Sequence, residues 1–390
     1  MTQFHKKADV VIIGLGGIVG ASVAHHLIER GWENIIGIDK SGIPTDIGST
    51  GHASDFCFMT AHDEMTVYTT KYSIDFFEAR GRYERIGGIE VARKDDDERM
   101  GELERRVSSG RASGSNVRMI TPEEVKEMMP LVDENNGRFP VLGGLLQPRA
   151  GNARHDAVVW GYARAADRLG VDIIQNCEVT GFERDSNGRM TGVETSRGRI
   201  GAGKVAVAVA GHTSQVMQMA GLRLPVESHK LQAFVSESVK PIIHTVATFG
   251  VGHLYISQSD KGGLVFGGML DGYNSFAQRG NLPIVEDVAE AMMMFLPSLG
   301  RVRLLRHWAG VVDMTMDGSP FICKTPIDGL YLNGGWNYTG FKAIPGASWC
   351  FAHTMATNRP HDFNAPFDLD RFAAGRPVDA TGGGPFPNHH

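Results

Sequence analysis

The first forty residues place a short apolar run, a helix-like segment and a second apolar run in sequence. Residues 8–13 are apolar and rich in β-branched side chains, and residues 35–39 form a second such run that ends on Asp39. Both runs have the length and composition of buried strands. The segment between them, ASVAHHLIERG, follows a cluster of glycines and predicts a helix that ends near Gly31. This order is the pattern of a nucleotide-binding βαβ unit.

Helical and strand-like patterns continue to alternate along the chain. In Thr121-Pro-Glu-Glu, Thr121 can cap a helix and Glu124 can reach back to it, so a helix is predicted to start there. Other helices are predicted at 65–80, 154–169, 287–299 and 343–357. Strands are predicted at 171–175, on both sides of a turn at 185–188, and at 197–202, 204–211 and 330–335. The runs at 231–236, 253–258 and 263–268 predict a separate antiparallel sheet.

The composition narrows the classes of protein that fit. The 390 residues are enough for two interlocked domains, and the net charge of -5 without a lysine or arginine run gives no reason to expect nucleic acid or an anionic membrane as partner. Residues 1–9 are polar, and no apolar run of ~18 residues follows, so no membrane insertion and a cytoplasmic location are expected. The cysteines show no CxxC spacing, which argues against zinc and a disulfide framework; they are Cys57, Cys177, Cys323 and Cys350. No metal site is predicted.

The glycine cluster between the first strand and helix has the features of a phosphate-binding loop. Gly14 permits a tight turn, Gly16 lets the backbone approach a pyrophosphate, and Gly20 gives the spacing GxGxxxG rather than GxGxxG. The helix that follows would direct unpaired N–H groups at the negative charge. Asp39 ends the second strand, where a carboxylate can accept hydrogen bonds from ribose hydroxyls. The alternative is an ordinary strand–helix turn in which Asp39 only caps.

Two later strands favour FAD over NAD as the dinucleotide. AVAG at 208–211 and LYLNGG at 330–335 each end an apolar run in small residues, as needed where backbone packs against a flavin. The predicted fold is therefore α/β, with an FAD-binding Rossmann-like domain of the glutathione-reductase type and an inserted, mostly antiparallel substrate domain. The FAD-binding domain is predicted at 1–85, 140–222 and 319–390, and the substrate domain at 86–139 and 223–318.

Several long stretches resemble the glycine/sarcosine oxidase family of flavoenzymes over essentially the whole chain. They are ARHDAVVWGYARAAD (153–167), SHKLQAFVSE (228–237), GGLVFGGMLDGYNSFAQRG (262–280), GVVDMTMDGSPFICKTP (310–326), GGWNYTGFKAIPG (334–346) and NAPFDLDRF (364–372). Within the family the chain most resembles β subunits of heterotetrameric sarcosine oxidases. A further segment, GSTGHASDF (48–56), is more similar to the dimethylglycine dehydrogenase and oxidase branch.

The resemblance implies two flavins. In similar β subunits the histidine that matches His155 carries FMN through a covalent bond to the flavin 8α-methyl group. His52 lies where the dimethylglycine branch tethers FAD covalently, although the similar β subunits hold this FAD without a bond. A neutral imidazole is a competent nucleophile near neutral pH. The alternatives are that His155 only packs at a helix start and that His52 only hydrogen-bonds flavin or substrate.

Lys342 matches a family lysine that lies near the flavin and is tied to substrate-carboxylate binding or to oxygen reduction. A fixed ammonium group would attract a substrate carboxylate and favour negative charge on reduced flavin. Sarcosine-oxidising relatives pair this lysine with an arginine, but residues 50–70 contain none. The substrate carboxylate must then be held differently, or the substrate differs.

His229 and Tyr255 match a histidine and a tyrosine that the dimethylglycine-oxidase branch places against the substrate amine. Such a pair can accept the amine proton before hydride loss, or it can simply brace two strands. Lys342, His229 and Tyr255 are therefore the predicted catalytic residues. The predicted cofactor-binding residues are Gly14, Gly16, Gly20, Asp39, Lys40, Ser49, Thr50, His52, His155, Gly211, Gly335, Gly340, Phe341 and Lys342.

The resemblance implies oxidation of the C–N bond of a small N-methylated amino acid, with hydride passing to FAD and electrons then to FMN and an acceptor. It also implies an α-type partner subunit and smaller ones. Dimethylglycine and N-methylglutamate remain open as substrates, and D-amino acids or proline are a weaker alternative. A non-catalytic flavin-binding scaffold is the alternative from another class.

Overall fold

The computed structural model describes residues 4–61, 63–94, 96–132, 140–250, 254–338 and 340–379. Its helices, numbered along the chain, are α1 (Ile18–Glu29), α2 (Glu64–Ala79), α3 (Asp97–Ala112), α4 (Pro122–Met128), α5 (His155–Arg168), α6 (Thr213–Met219), α7 (Leu282–Phe295) and α8 (Gly340–Thr357). Short 3₁₀ helices cover Ser49–His52, Ala210–His212 and Pro297–Leu299.

The strands are numbered in the same way and form two eight-stranded sheets and one two-stranded sheet. They are β1 (Phe4–Ile13), β2 (Ile35–Ile38), β3 (Phe56–Cys57), β4 (Gly88–Arg93), β5 (Arg118–Ile120), β6 (Val141–Gln147), β7 (Gly151–Asn152), β8 (Asp172–Ile174), β9 (Val179–Arg184), β10 (Met190–Thr195), β11 (Gly198–Val207), β12 (Val226–Ser238), β13 (Val246–Phe249), β14 (Leu254–Gln258), β15 (Gly263–Leu270), β16 (Leu304–Thr315), β17 (Phe321–Lys324) and β18 (Leu330–Gly334).

The first large sheet is built around β1 in the order β17-β18-β11-β1-β2-β8, with β9 and β10 attached beside β11. The pairs β1–β11, β1–β2, β2–β8 and β11–β18 are parallel. Both faces of β1 are covered, because Val10 and Ile12 pack into a core with α1, α5 and α8, whereas Val11 and Ile13 pack into a second core on the opposite face. Parallel strands need cover on both faces, and this explains the apolar run at 10–13 in β1.

The second large sheet has the order β16-β12-β15-β14-β13-β4-β6-β5 and is antiparallel except for the pair β13–β4. Helix α7 packs on one face through Ile284, Val288 and Phe295, beside Phe249 and Phe266. The predicted α/β class, with a dinucleotide-type sheet and a second, mostly antiparallel sheet, is confirmed. Among the helices that the structure describes, none combines the length and the apolarity needed to cross a membrane.

Several predicted boundaries differ from the structure. The runs at 197–202 and 204–211 form one strand, β11, and residues 210–212 turn into a 3₁₀ helix. The strand β6 at 141–147 pairs with β4 and β5 in the second sheet, although the predicted division assigned it to the FAD-binding domain. Lys342 lies in the first turn of α8 rather than in a loop before it. The capping box at Thr121 and Glu124 is confirmed, with both reciprocal hydrogen bonds present.

A buried ion pair fastens the C-terminal segment to the first sheet. The guanidinium of Arg371 is fully buried and donates to both carboxylate oxygens of Asp317, at 2.8 and 2.9 Å. It also donates to the carbonyl oxygens of Pro320 and Ser319. Every charged atom in this cluster therefore has a partner, which is the condition under which a buried pair is tolerated.

We expect Arg371→Met to destabilise the protein by about 3–5 kcal/mol, because it leaves the Asp317 carboxylate buried without its counter-charge. The matched control is Arg189→Met, which removes an exposed pair with Asp328 at 3.4 Å and should cost less than about 1 kcal/mol. Urea unfolding followed by far-UV circular dichroism measures both losses. Equal losses for the two variants would contradict this account of the C-terminal segment.

Candidate functional site: a dinucleotide cleft and a buried lysine

The glycine loop approaches neighbouring backbone so closely that side chains are excluded. Gly14 has φ +95°, and a Cβ there would overlap the carbonyl group of Ala208. A Cβ on Gly20 would overlap the backbone of Gly14. The loop is held in place by the N–H of Gly14, which donates to the carbonyl oxygen of Ile38 at 2.9 Å. The predicted roles of these glycines therefore have a steric basis in the structure.

Helix α1 begins directly after this loop, and Asp39 secures the turn. The N-cap residue of α1 is Gly17, which has no side chain to cap the helix. The N–H of Ile18 donates to Thr50 Oγ1 at 3.2 Å. The carboxylate of Asp39 accepts from the N–H of Gly16 at 2.9 Å, and burial raises its pKa despite this hydrogen bond. The positive end of α1 and a buried carboxylate thus lie side by side.

A cleft of about 800 Å³, partly continuous with solvent, opens along the carboxyl ends of the first sheet. Its lining combines the glycine loop, the end of β2, the 3₁₀ segment at 49–52, the start of β9 and the segment after β11. The lining residues are Ile13, Gly14, Gly17, Val19, Asp39, Lys40, Thr45, Ile47, Gly48, Ser49, Thr50, Cys177, Glu178, Val179, Ala208, Val209, Ala210, His212, Gln215, Val216 and Met219. The structure thus brings together five predicted residues: Gly14, Asp39, Lys40, Ser49 and Thr50.

Some lining residues were not predicted from the sequence. Cys177, Glu178 and Val179 follow β8 and carry no motif of their own, so only the sheet order reveals that they face the cleft. His212 also lines it, and burial together with the charge of Lys40 lowers the pKa of His212 to about 4. His212 is therefore neutral near pH 7.

The segment with His52 is tied to the second sheet. The Nδ1 of His52 lies 2.9 Å from the carbonyl oxygen of Gly48. A carbonyl only accepts, so this nitrogen carries the proton and Nε2 carries the lone pair. Trp308 Nε1 donates to the carbonyl oxygen of His52 at 3.3 Å, and Ser49 Oγ donates to the carbonyl oxygen of Val311. These bonds hold the imidazole of His52 in one orientation.

The glycine turn before α8 is anchored by a buried aspartate, Asp313. Its carboxylate accepts from the N–H groups of Gly335 and Trp336 and from Thr213 Oγ1. Gly335 has φ +75°, which suits glycine. A Cβ on Gly211 would overlap the backbone of Val311. Gly211 therefore packs against another segment of this chain, and the packing of Gly211 and Gly335 against a flavin stays a prediction.

The side chain of Lys342 is half-buried at the start of α8, and its ammonium group faces the buried Thr60. Its ammonium group donates to the carbonyl oxygen of Thr60 at 2.6 Å. Burial, with a smaller contribution from the charge of Arg106, lowers the pKa of Lys342 to about 8. Beside it, Phe341 stacks on Phe77 with the ring centroids 6.2 Å apart. A Cβ on Gly340 would lie 3.0 Å from Trp336 Cβ. Burial and a depressed pKa are typical of functional lysines.

A chain of buried hydrogen bonds fixes the carbonyl group that Lys342 contacts. Gln147 Oε1 accepts from the N–H of Thr60 at 3.0 Å, and Gln147 Nε2 donates to Glu90 at 2.7 Å. Glu90 accepts in turn from Arg99 at 2.9 Å and from Arg106 at 2.7 Å. Burial alone would raise the pKa of Glu90, but the two guanidinium groups outweigh it and lower the pKa.

His155 lies at the first position of α5 and is paired with Asp55. Its Nδ1 is 2.6 Å from Asp55 Oδ1, and its backbone N–H donates to the same oxygen at 3.1 Å. Burial alone would lower the pKa of His155, but the hydrogen bond and charge of Asp55 outweigh it and raise the pKa. Asp55 itself has φ +68°, a left-handed conformation that aspartate tolerates. Sequence reasoning missed Asp55, which is 100 residues away along the chain.

His229 and Tyr255 lie on the second sheet but have different partners. The Nδ1 of His229 lies 2.9 Å from the carbonyl oxygen of Asp271, and Nε2 lies 3.2 Å from Glu227. The hydroxyl of Tyr255 is buried, and its ring lies 5.1 Å from that of Phe56. Burial raises the pKa of Tyr255, so its hydroxyl stays protonated near pH 7.

Comparison with known proteins assigns the class. Residues 9–354 match the DAO family, described as FAD dependent oxidoreductase, and the chain belongs to this family. It is 60% identical over 286 residues to sarcosine oxidase subunit beta of Rhizobium meliloti (strain 1021), which covers 73% of this chain and 68% of that protein. It is 41% identical over 389 residues to sarcosine oxidase subunit beta of Arthrobacter sp, covering 97% and 94%.

Among solved structures, L-proline dehydrogenase from P. horikoshii superposes with a TM-score of 0.87 at 27% identity, covering 95% of this chain and 99% of that one. The resemblance to the glycine/sarcosine oxidase family seen in the sequence is confirmed. The residues of the cleft also fit FAD. The glycine loop brings backbone without side chains to the N-terminus of α1 at the edge of the cleft, and Asp39 follows β2.

We expect Gly14→Ala to abolish FAD retention, because its Cβ would overlap Ala208 at the edge of the cleft. Gly31→Ala is the matched control, since Gly31 also has positive φ but a Cβ there meets no atom within 4 Å. Both substitutions should lower the free energy of unfolding by about 1–2 kcal/mol, because alanine disfavours the left-handed backbone conformation. The measurement is FAD per chain from the visible spectrum, with the melting temperature alongside. Equal FAD content in the two variants would refute the steric account.

Proposed function

We propose that this protein oxidises the C–N bond of a small N-methylated amino acid, as the FAD-carrying subunit of a hetero-oligomeric complex. The observation that carries this proposal is the half-buried Lys342, a fixed cation at the start of α8, in a chain similar to two sarcosine oxidase β subunits. Partners of the α type and smaller subunits are proposed from the same likeness.

The residues of the cleft would hold FAD. Gly14, Gly16 and the N-terminus of α1 would hold the pyrophosphate, and Asp39 would accept hydrogen bonds from the ribose. Lys40, Ser49 and Thr50 line the same cleft. When bound, FAD supplies a two-electron oxidation by accepting a hydride from the carbon attached to the amine. His52 presents Nε2 with a lone pair, which is the form needed for a covalent bond to this flavin.

Lys342 would bind the substrate carboxylate in place of the lysine–arginine pair of other sarcosine-oxidising enzymes. With a pKa of about 8 it is largely charged near pH 7. Residues 50–70 contain no arginine. Arg99 and Arg106 lie nearby, but both are already bonded to the carboxylate of Glu90. The ammonium group of Lys342 would then be the single anchor of the substrate carboxylate, and its protonation would control the affinity for the substrate.

We propose His229 as the group that accepts the amine proton. Its Nδ1 lies against the carbonyl oxygen of Asp271 and carries a proton, so Nε2 would have to accept the amine proton in place of its contact with Glu227. Tyr255, whose hydroxyl stays protonated, would donate a hydrogen bond and shape the pocket.

His155 would carry FMN, with Asp55 as its positioning residue. Because Asp55 accepts from Nδ1, the lone pair lies on Nε2, which is then the nitrogen that bonds. Such a bond would replace one hydrogen of the flavin 8α-methyl group and the imidazole proton, and the two protons and two electrons released would pass to dioxygen. Asp55 would keep the ring of His155 in one orientation.

Substrate-dependent bleaching tests the proposal. Under anaerobic conditions, sarcosine, dimethylglycine or N-methylglutamate should reduce the FAD of the purified protein, and the fastest of them identifies the substrate. Proline is included because of the similarity to L-proline dehydrogenase. Reduction by proline alone would replace the N-methyl assignment. Absence of reduction by every amino acid would favour a scaffold without catalysis.

Ligand affinity should follow the protonation of Lys342. Binding of propionate, a carboxylate without an amine, should weaken as pH rises through about 8, because the ammonium is lost there. Lys342→Met should weaken binding about 30-fold or more below that pH, the effect of removing one partner of a buried charge pair, and should abolish the pH dependence. Perturbation of the flavin spectrum reports the Kd. The exposed Lys240→Met is the control and should match wild type. An unchanged pH profile in Lys342→Met would exclude Lys342 as the anchor.

Covalent flavin content tests His155 and Asp55 separately. His155→Ala should lose the covalent FMN, measured by the mass of the denatured chain. In Asp55→Asn, which suits the left-handed backbone, loss of the carboxylate charge lowers the pKa of His155. The pH profile of FMN attachment should then shift to lower pH than in wild type. If His155→Ala keeps its FMN, the attachment site is wrong; if only the Asp55→Asn profile is unchanged, the positioning role is wrong.

A further inference from the structure

We propose that His25, His26 and Glu29 bind a divalent transition-metal ion of the zinc class. Each offers one ligand atom, and the three atoms lie within 4.8 Å of one another. His25 Nε2 is 3.2 Å from Glu29 Oε1, and His26 Nδ1 is 2.7 Å from Glu29 Oε2. Tetrahedral zinc with bonds of about 2.0–2.1 Å separates neighbouring ligand atoms by roughly 3.3 Å, so small side-chain adjustments suffice.

The position of these residues on α1 favours a cation. They stand at i, i+1 and i+4 in the last turns of the helix, where His25 and His26 can both reach Glu29. The C-terminal end of a helix carries the negative end of its dipole. The site is therefore at the opposite end of α1 from the glycine loop, and it uses none of the residues of the dinucleotide cleft.

The unpaired, buried Nε2 of His25 points independently to a ligand. This proposed ligand atom has no hydrogen-bond partner among the described residues, because its contact with Glu29 has the distance but not the alignment of a hydrogen bond. His26 is fully buried, and its proposed ligand atom Nδ1 contacts Glu29. The buried hydroxyl of Tyr162, whose ring is 5.3 Å from that of His25, is likewise unpaired within the described chain. Such clusters are rare in folded proteins unless a water or an ion completes them.

The chemistry of the donors selects the ion. Two imidazoles and one carboxylate suit Zn²⁺, Co²⁺ or Ni²⁺ better than Mg²⁺ or Ca²⁺, which prefer oxygen. The side chain of Glu29 is 44% exposed, which gives an ion access from solvent. Arg80 opposes the ion, because its positive charge acts on both His25 and Glu29.

Cobalt substitution tests the site on the full-length, FAD-loaded protein after chelation. One Co²⁺ per chain should bind with a visible absorption band, and Zn²⁺ should displace it. Glu29→Gln, which keeps the size of the side chain, should weaken Co²⁺ binding at least about tenfold, and His26→Gln should do the same. His361→Gln is the matched control: His361 also lies beside another histidine, His353, at 5.3 Å, but outside the proposed site.

Thermal melting gives a second readout that does not depend on catalysis. Zn²⁺ should raise the melting temperature of wild type and of His361→Gln but not of Glu29→Gln. FAD content and far-UV circular dichroism confirm that each variant is folded. The proposal is overturned if wild type binds no Co²⁺, or if Glu29→Gln and His26→Gln both bind it as wild type does. The latter result would place the ion on other histidines of the chain.

Discussion

The close packing of the glycine loop against the end of β11 is the constraint on which the rest of the site depends. Gly14 can turn there only because it has no Cβ and accepts φ +95°, and its neighbour across the gap is the carbonyl group of Ala208. This contact sets the start of α1 at the carboxyl edge of the sheet. It also leaves the cleft bounded by backbone, so that an extended dinucleotide can lie along it.

A second constraint links the two sheets. Glu90 on β4 and Gln147 on β6 belong to the second sheet, yet their hydrogen bonds fix the Thr60 carbonyl that holds Lys342 on α8. Each member of this chain is buried, so a missing partner would leave an unpaired polar group and a large loss of stability. The position of the lysine is therefore a property of the interface between the two sheets. A substitution of Arg99 would therefore be expected to alter the position of Lys342 through Glu90.

Short-range signals explain what was predictable. The apolar run of β1, the capping box at Thr121 and the acid that ends β2 all act within a few residues, and each appears in the structure as predicted. The predicted boundaries were wrong where the sequence gives no turn signal between neighbouring segments. One example is β11, which runs unbroken through residue 203. Another is β6, whose sequence does not reveal which sheet it joins. Sheet membership is a long-range choice that periodicity does not encode.

The sequence by itself determined the family, the dinucleotide loop and the residue types available for chemistry. It also contained the pair His25 and His26, but gave no sign that their nitrogens would be buried without partners. Only the tertiary structure decided which groups meet: Asp55 with His155 across 100 residues, and Lys342 with the carbonyl group of Thr60. The physical reason is that pKa values and unpaired atoms arise from burial and from contacts between distant segments, and these exist only once the chain has folded.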